Sequence, residues 1–270
     1  MIDPGSTWRD GKIGFEELWD GLRHWRIWHL LGIRELRHRY TRSRLGQVWL
    51  MASTAVEIGV MSVVWSLLWG QSMRSFTPYI GIGLIIWKFL AQILIESTSV
   101  FTTHVGLYRN QRMSYAVSIF SVIYRNLLIL GHNFGIVFLL VVGFDLPINL
   151  YLFQIVPGFL ITAVMLTWVG YVVAMLCVRY RDTIQVINTW VMVLFFITPV
   201  FWRTSFLAAD YHFVVDYNPA AQFLELLRAP LLGEPVALHT WVFTTVMAAV
   251  GLLISLPLIG RYRKRVIFWV

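Results

Sequence analysis

The chain has 270 residues, 58% of them hydrophobic and only 13% charged, against roughly 45–50% and 25% in an ordinary soluble domain. A 31.3 kDa globule has no core large enough to hide so much apolar side chain, and a mean hydropathy of +0.67 with 13 Trp, 11 Tyr and 18 Phe makes lipid the solvent and excludes a soluble enzyme. The 22 Lys and Arg against 14 Asp and Glu give a net +8, which on a membrane protein is read by position. Taken in chain order, the first 17 residues are polar and carry Asp3, Asp10, Glu16 and Glu17, so no cleavable signal peptide is expected. Leu18, Leu22, Trp25, Ile33, Leu36 and Tyr40 then fall on one face of a 3.6-residue helix, with Arg23, Arg26, Arg34 and Arg37 on a flank. This predicts an amphipathic interfacial helix lying against anionic membrane lipid. The alternative is a solvated flank of the first span, and Glu35 with the out-of-phase Leu30 and Leu31 leaves room for a partner protein over part of the face.

Six stretches are long and apolar enough to cross a bilayer: 48–69, 80–100, 119–144, 151–178, 184–202 and 241–258. In hydrocarbon each backbone amide must be paired within its own segment, so these are helices and the fold class is all-α integral membrane. Residues 1–47 form the lead-in, 48–258 a six-helix domain, and 259–270 a basic end with Arg261, Arg263, Lys264 and Arg265. Basic residues crowd the lead-in, the chain end and the links holding Arg109, Arg112, Arg179 and Arg181, while the opposite side has Arg74, Arg203 and Arg228. By the positive-inside rule both termini are cytoplasmic, and the charge surplus is a topology signal rather than a nucleic-acid surface. The exoplasmic segment 203–240 carries Pro219, Pro230 and Pro235 around an apolar-faced AAQFLELLRAP, which predicts short re-entrant helices that dip back into the membrane where protein buries them, or else a loop on the surface.

Local chemistry is sparse. The only Gly-Lys is Gly11-Lys12, followed by Ile13, so no phosphate-cradling loop is present and the chain is not expected to hydrolyse ATP. The seven His are scattered without an H-x-x-x-H pair, and the single Cys177 excludes an intramolecular disulfide and a Cys-rich metal site. Glu57 lies about 15 Å into the first span and Lys88 about 12 Å into the second from the opposite side, where an ionised group costs about 2.5–3.5 kcal/mol. They read either as an ion pair joining spans one and two or as the lining of a wet path. Glu96 is expected near the cytoplasmic boundary.

RELRHRYTRSRLGQVW at 34–49, RYRDTIQVINTWVMVLFFITPVFW at 179–202 and YNPAAQFLELLRAPLLG at 217–233 resemble, in this order, landmarks of the permease subunit of ABC-2 type polysaccharide exporters. Arg37, Arg39, Tyr40, Ser43, Leu45 and Gly46 match the opening of its first span, Arg181 and Asp182 the start of its fifth, and Thr198-Pro199-Val200 and Asn218-Pro219 stand where the family has them. Lys88 departs from its usual uncharged second span. The resemblance implies a homodimer with two copies of a separate ATP-binding subunit, which holds the ATP and Mg, exporting lipid-linked polysaccharide such as O antigen or capsule across a bacterial inner membrane. It implies coupling to that ATPase through the interfacial helix, with Arg34, Arg37, Arg39 and Arg42, and through the 104–114 link, with Arg109 and Arg112.

Asp182, at the cytoplasmic start of span five, is expected to cap its helix. A glycan conduit should interleave aromatic rings with small polar groups. Asn188, Met192, Phe195, Pro199 and Trp202 form one such stripe and Glu57, Met61, Trp65 and Trp69 another, with Tyr79, Trp87, Phe201 and Tyr211 extending them. The competing reading of these rings is an interfacial aromatic belt. Rival functions are an ABC-2 exporter of a small hydrophobic drug or lipid, which calls for a compact pocket, a membrane-embedded acyl- or glycosyltransferase, which calls for catalytic His, Asp or Glu at one membrane face, and a scaffold with no transport role.

Overall fold

The computed structural model describes residues 4–40, 48–110 and 113–269. Among them every regular element is helical: α1 (Pro4–Arg23), α2 (Trp25–Tyr40), α3 (Val48–Leu68), α4 (Met73–Ser97), α5 (Val100–Thr103), α6 (Val105–Asn110), α7 (Ala116–Gly143), α8 (Ile155–Arg179), α9 (Thr183–Ile197), α10 (Phe213–Asp216), α11 (Pro219–Leu231) and α12 (Leu238–Trp269). Five of the apolar stretches are long enough to span a bilayer, α8 doing so together with the 3₁₀ turn at Leu150–Gln154. The chain is a multi-pass membrane protein.

The remaining stretch, α9, has 15 residues, about 22 Å of helix at 1.5 Å per residue against about 30 Å of hydrocarbon. It ends at Ile197 and not at Trp202. The ring of Pro199 disfavours helical backbone at the residue before it, and Thr198 is extended with ψ 136°. At the other end of the chain, α12 runs unbroken to Trp269, so the basic end beyond 258 is helix rather than tail.

The lead-in is two helices that bend at His24. Its inner face differs from the expected apolar stripe: Gly14, Glu17 and Gly21 are buried, while Leu22 and Trp25 are exposed. Glycine lets two helices approach until their backbones touch. A β-carbon at Gly14 would strike the Leu256 carbonyl, and one at Gly260 the Asp10 carbonyl, so α1 crosses α12 at backbone contact. Trp8, Phe15 and Trp19 are left on the outer face. Helix α2 lies on α7, with Trp28 against Phe120 and Tyr124.

Helix α4 is the hub, with 72% of its apolar window buried, against 17% for α3. It touches α3, α7, α8, α9 and α11. Helix α11 is enclosed by α4, α8 and α12 and buried from Ala221 to Leu231 apart from a partly exposed Glu225, which favours the inward-dipping reading of the exoplasmic segment over a loop on the surface.

Candidate functional site

Three groups of side chains stand out, one toward each face and one midway. Toward the end of α3, Trp65 stacks on Trp69 at 4.8 Å and on Phe201 at 4.9 Å, Phe201 meets Phe195 at 5.1 Å, and Phe195 meets Trp87 at 5.7 Å. One aromatic cluster therefore joins α3, α4, α9 and the turn after α9. Tyr79 and Trp202 fasten its edge, since the Tyr79 hydroxyl donates to the Trp202 carbonyl at 3.1 Å and the Trp202 indole to the Phe196 carbonyl at 3.1 Å.

Not every expected path residue joins. Tyr211 is exposed, on a short 3₁₀ turn apart from the cluster. Asn188 lies farther toward the start of α9, with a buried amide oxygen that has no partner. The α9 stripe does not share one environment: Met192 faces outward, Phe195 is half-buried and Pro199 is buried.

Midway along α3 and α4, Lys88 contacts the Glu57 carboxylate and also donates to Thr54 Oγ1 at 3.3 Å. Beside them is a cavity of about 280 Å³ lined by Ser53, Thr54, Gln92, Asn126 and Asn133 among others. The contact of Lys88 with Glu57 therefore sits next to a cavity with several polar lining residues.

Toward the opposite end of the bundle, Arg125 of α7 bridges Glu35 of α2 and Glu96 of α4. Glu96 also accepts from Arg39 and from Asn126, each at 2.7 Å, and Glu35 meets His104 at 2.5 Å. His104 contacts Ser118 through its other ring nitrogen at 2.8 Å, and burial pushes its pKa below the ordinary value. Arg39 thus pairs with Glu96 while its side chain stays exposed. Arg34, Arg37 and Arg109 are exposed, while Arg42 and Arg112 lie outside the described residues. Glu35 and Glu96 are unremarkable in the sequence because their partners lie far along the chain. The one signal was Arg125, a cation about ten residues into an apolar helix.

Nearby, Glu17 of α1 accepts from the Tyr115 amide at 2.7 Å and the Ser114 hydroxyl at 2.9 Å and pairs with Arg263 of α12 at 3.1 Å.

The family-like motifs separate into those that bond and those that do not. Asn218 accepts the Ala220 amide at 3.0 Å and the Ala221 amide at 3.4 Å, capping α11, while Pro219 fills its first turn. Pro199 ends α9, and its carbonyl accepts from Arg228 at 2.6 Å. Asp182 stands at the N-cap position of α9 with helical backbone angles, and its side chain makes no capping bond. A capping residue needs extended backbone to swing its oxygen over the first turn. Both Arg181 and Asp182 are exposed.

No protein-family model matches the chain. It is similar to two proteins of Klebsiella pneumoniae that both bear the name O-antigen export system permease protein RfbA, being 22% identical over 198 residues of one, 71% of this chain and 74% of the relative. With the other it is 22% identical over 242 residues, 86% of this chain and 91% of the relative. These relatives bear out the resemblance to permeases of ABC-2 polysaccharide exporters carried by the motifs.

Proposed function

We propose that this chain, a permease of that kind, is the membrane-spanning subunit of an ATP-driven exporter that moves lipid-linked polysaccharide of the O-antigen or capsule type across the bacterial inner membrane. The observation that carries the reading is the aromatic cluster of Trp65, Trp69, Trp87, Phe195 and Phe201. Sugar rings present apolar C–H faces that lie against aromatic rings, and a row of rings with a polar pair beyond it suits a long amphipathic chain better than one compact drug. Names of the relatives support the same substrate class.

Energy comes, in this reading, from two copies of a separate ATP-binding subunit. They dock on the cytoplasmic side where Arg34, Arg37 and Arg109 are exposed, with Arg42 and Arg112 assigned to the same surface on sequence alone. The charge cluster of Glu35, Arg125 and Glu96 connects that surface to α4 and α7. A second copy of the chain covers the outer faces of α3 and α9, where Val56, Val60, Leu67, Trp190, Met192 and Phe196 are exposed, and the aromatic cluster then borders the seam between protomers. Both termini are cytoplasmic in this reading, which the distribution of basic residues supports.

The test is genetic and biochemical together. Deleting the gene should abolish surface polysaccharide and complementation should restore it, and the purified chain should show no ATP turnover until the ATP-binding subunit is added. Normal surface polysaccharide in the deletion strain, with raised sensitivity to a hydrophobic drug, would favour the small-molecule exporter instead.

A further inference from the structure

A cleft of about 420 Å³ opens on the exoplasmic side between the start of α4, the turn after α9 and α11. It adjoins the aromatic cluster: Tyr79, in its wall, stacks on Phe76 at 6.1 Å, and Phe76 meets Trp69 at 5.9 Å. Its charged groups balance. Arg203 and Arg228 face Glu225 and Glu234, with the hydroxyl-bearing Ser75 and Thr204 beside them and Leu146, Pro78 and Leu232 as apolar wall.

The deepest part is rigid. Arg228 is 2% exposed, donates to the Pro199 carbonyl at 2.6 Å and to Glu225 at 2.5 and 3.1 Å, and lies 4.0 Å from the centre of the Tyr79 ring. Gly83 leaves the room for it, since a β-carbon there would sit 2.9 Å from the Val200 carbonyl and 3.4 Å from the guanidinium. The rim is not so committed. Arg203 donates one nitrogen to the Ser75 carbonyl at 2.9 Å and lies over the Phe76 and Tyr79 rings at 5.6 and 5.2 Å, its buried Nε having no acceptor among the described residues, whereas the exposed Glu234 carboxylate makes no ion pair among them.

Two carboxylates in the wall disfavour a net anion, and two guanidiniums disfavour a net cation. What remains is an uncharged ligand that both donates and accepts hydrogen bonds and has an apolar side, which is the chemistry of a pyranose. We propose that this cleft is a docking site for one neutral sugar unit of the glycan as it leaves the membrane, a reading that rests on the polysaccharide-export assignment. Glu234 and Thr204 take hydroxyls at the rim, while Leu146 and Pro78 meet the C–H face.

The experiment uses the full chain in lipid nanodiscs with methyl α-D-mannopyranoside and methyl β-D-galactopyranoside as probes, followed by saturation-transfer NMR. Glu234→Gln and Thr204→Val alter the rim without touching the Arg228–Glu225 pair, so folding is preserved, and each should weaken the glycoside that binds by roughly tenfold, the loss of one hydrogen bond in a charged site. Equal signals in wild type and both variants, no transfer to either glycoside, or preferential binding of inorganic phosphate would overturn the proposal. In cells the two failures separate: polysaccharide unaffected by gene deletion overturns the export reading and the site with it. Polysaccharide lost on deletion but normal in the double variant, with unchanged glycoside binding, overturns the site alone.

Discussion

The side-chain amide of Asn218 donates to the Thr198 hydroxyl at 3.1 Å, tying the extended residue that ends α9 to the residue that starts α11. The same side chain accepts two amides with its oxygen, so one buried residue fixes both corners of the exoplasmic segment. Asn218→Ala should cost about 1–2 kcal/mol through the lost cap and the unpaired groups left behind, while Asn218→Asp retains the cap and loses only the donation to Thr198. Asp182→Ala and Asp182→Asn should be indistinguishable and mild, because that side chain caps nothing. Thermal unfolding of the four variants in detergent measures this, and a marked loss confined to Asp182→Ala would restore a capping role.

Glu57 and Lys88 are expected to behave as one unit. Removing either partner strands the other charge in the membrane, at up to about 3 kcal/mol. Glu57→Gln and Lys88→Met should therefore each lower the yield of folded protein more than the double variant does. If the double loss equals the sum of the single ones, the contact contributes no coupling.

The aromatic cluster offers an internal comparison. Trp65→Ala and Phe195→Ala should reduce polysaccharide export several-fold with assembly and stimulated ATP turnover retained, whereas Tyr211→Leu, outside the cluster, should export normally. Surface polysaccharide staining beside an ATPase assay of the same membranes reads both, and full export by the first two variants would assign these rings to packing or to lipid.

Acid should loosen the charge cluster around Arg125. His104 is buried, and its folded-state pKa lies below the ordinary value of about 6.5. The folded protein therefore holds fewer protons there than the unfolded chain. The stability this provides is complete above pH about 6.5 and declines as pH falls through the lower, folded-state pKa. A melting-temperature series from neutral to mildly acidic pH should slope downward in the wild type, and His104→Gln should flatten the part due to this ring. An unchanged slope would place the titration elsewhere.

Much of this architecture is legible from sequence because lipid leaves so few options. An apolar run of about 20 residues must be a helix, but the fifth run, apolar as far as Trp202, stops at Ile197 because hydropathy does not register the backbone effect of Pro199. The aromatic cluster was approachable from helical spacing, apart from Tyr211, whose irregular segment has no periodicity to read. What escaped was contact between distant residues. Glu35 merely spoiled an amphipathic face and Glu96 looked like a boundary residue, yet Arg125 joins them across three helices. The inner face of α1 escaped as well, because a surface made of glycine has no hydrophobic signature, while the aromatics that do are turned outward.

The crossing of α1 and α12 sets an order of events. Helix α1 is synthesised first, and the backbone it rests on is made more than two hundred residues later. A ribosome delivering this chain therefore releases α1 without a seat, exposing Trp8, Phe15 and Trp19 along with glycines that have nothing to touch. Those rings are suited to wait at the lipid surface. Only when Leu256 and Gly260 arrive can the two backbones meet and Glu17 find Arg263, and closing so long a loop is among the slowest steps available to a chain. The docked α1 is in effect a progress mark: a subunit that displays it has already made the membrane helices from α3 to α12.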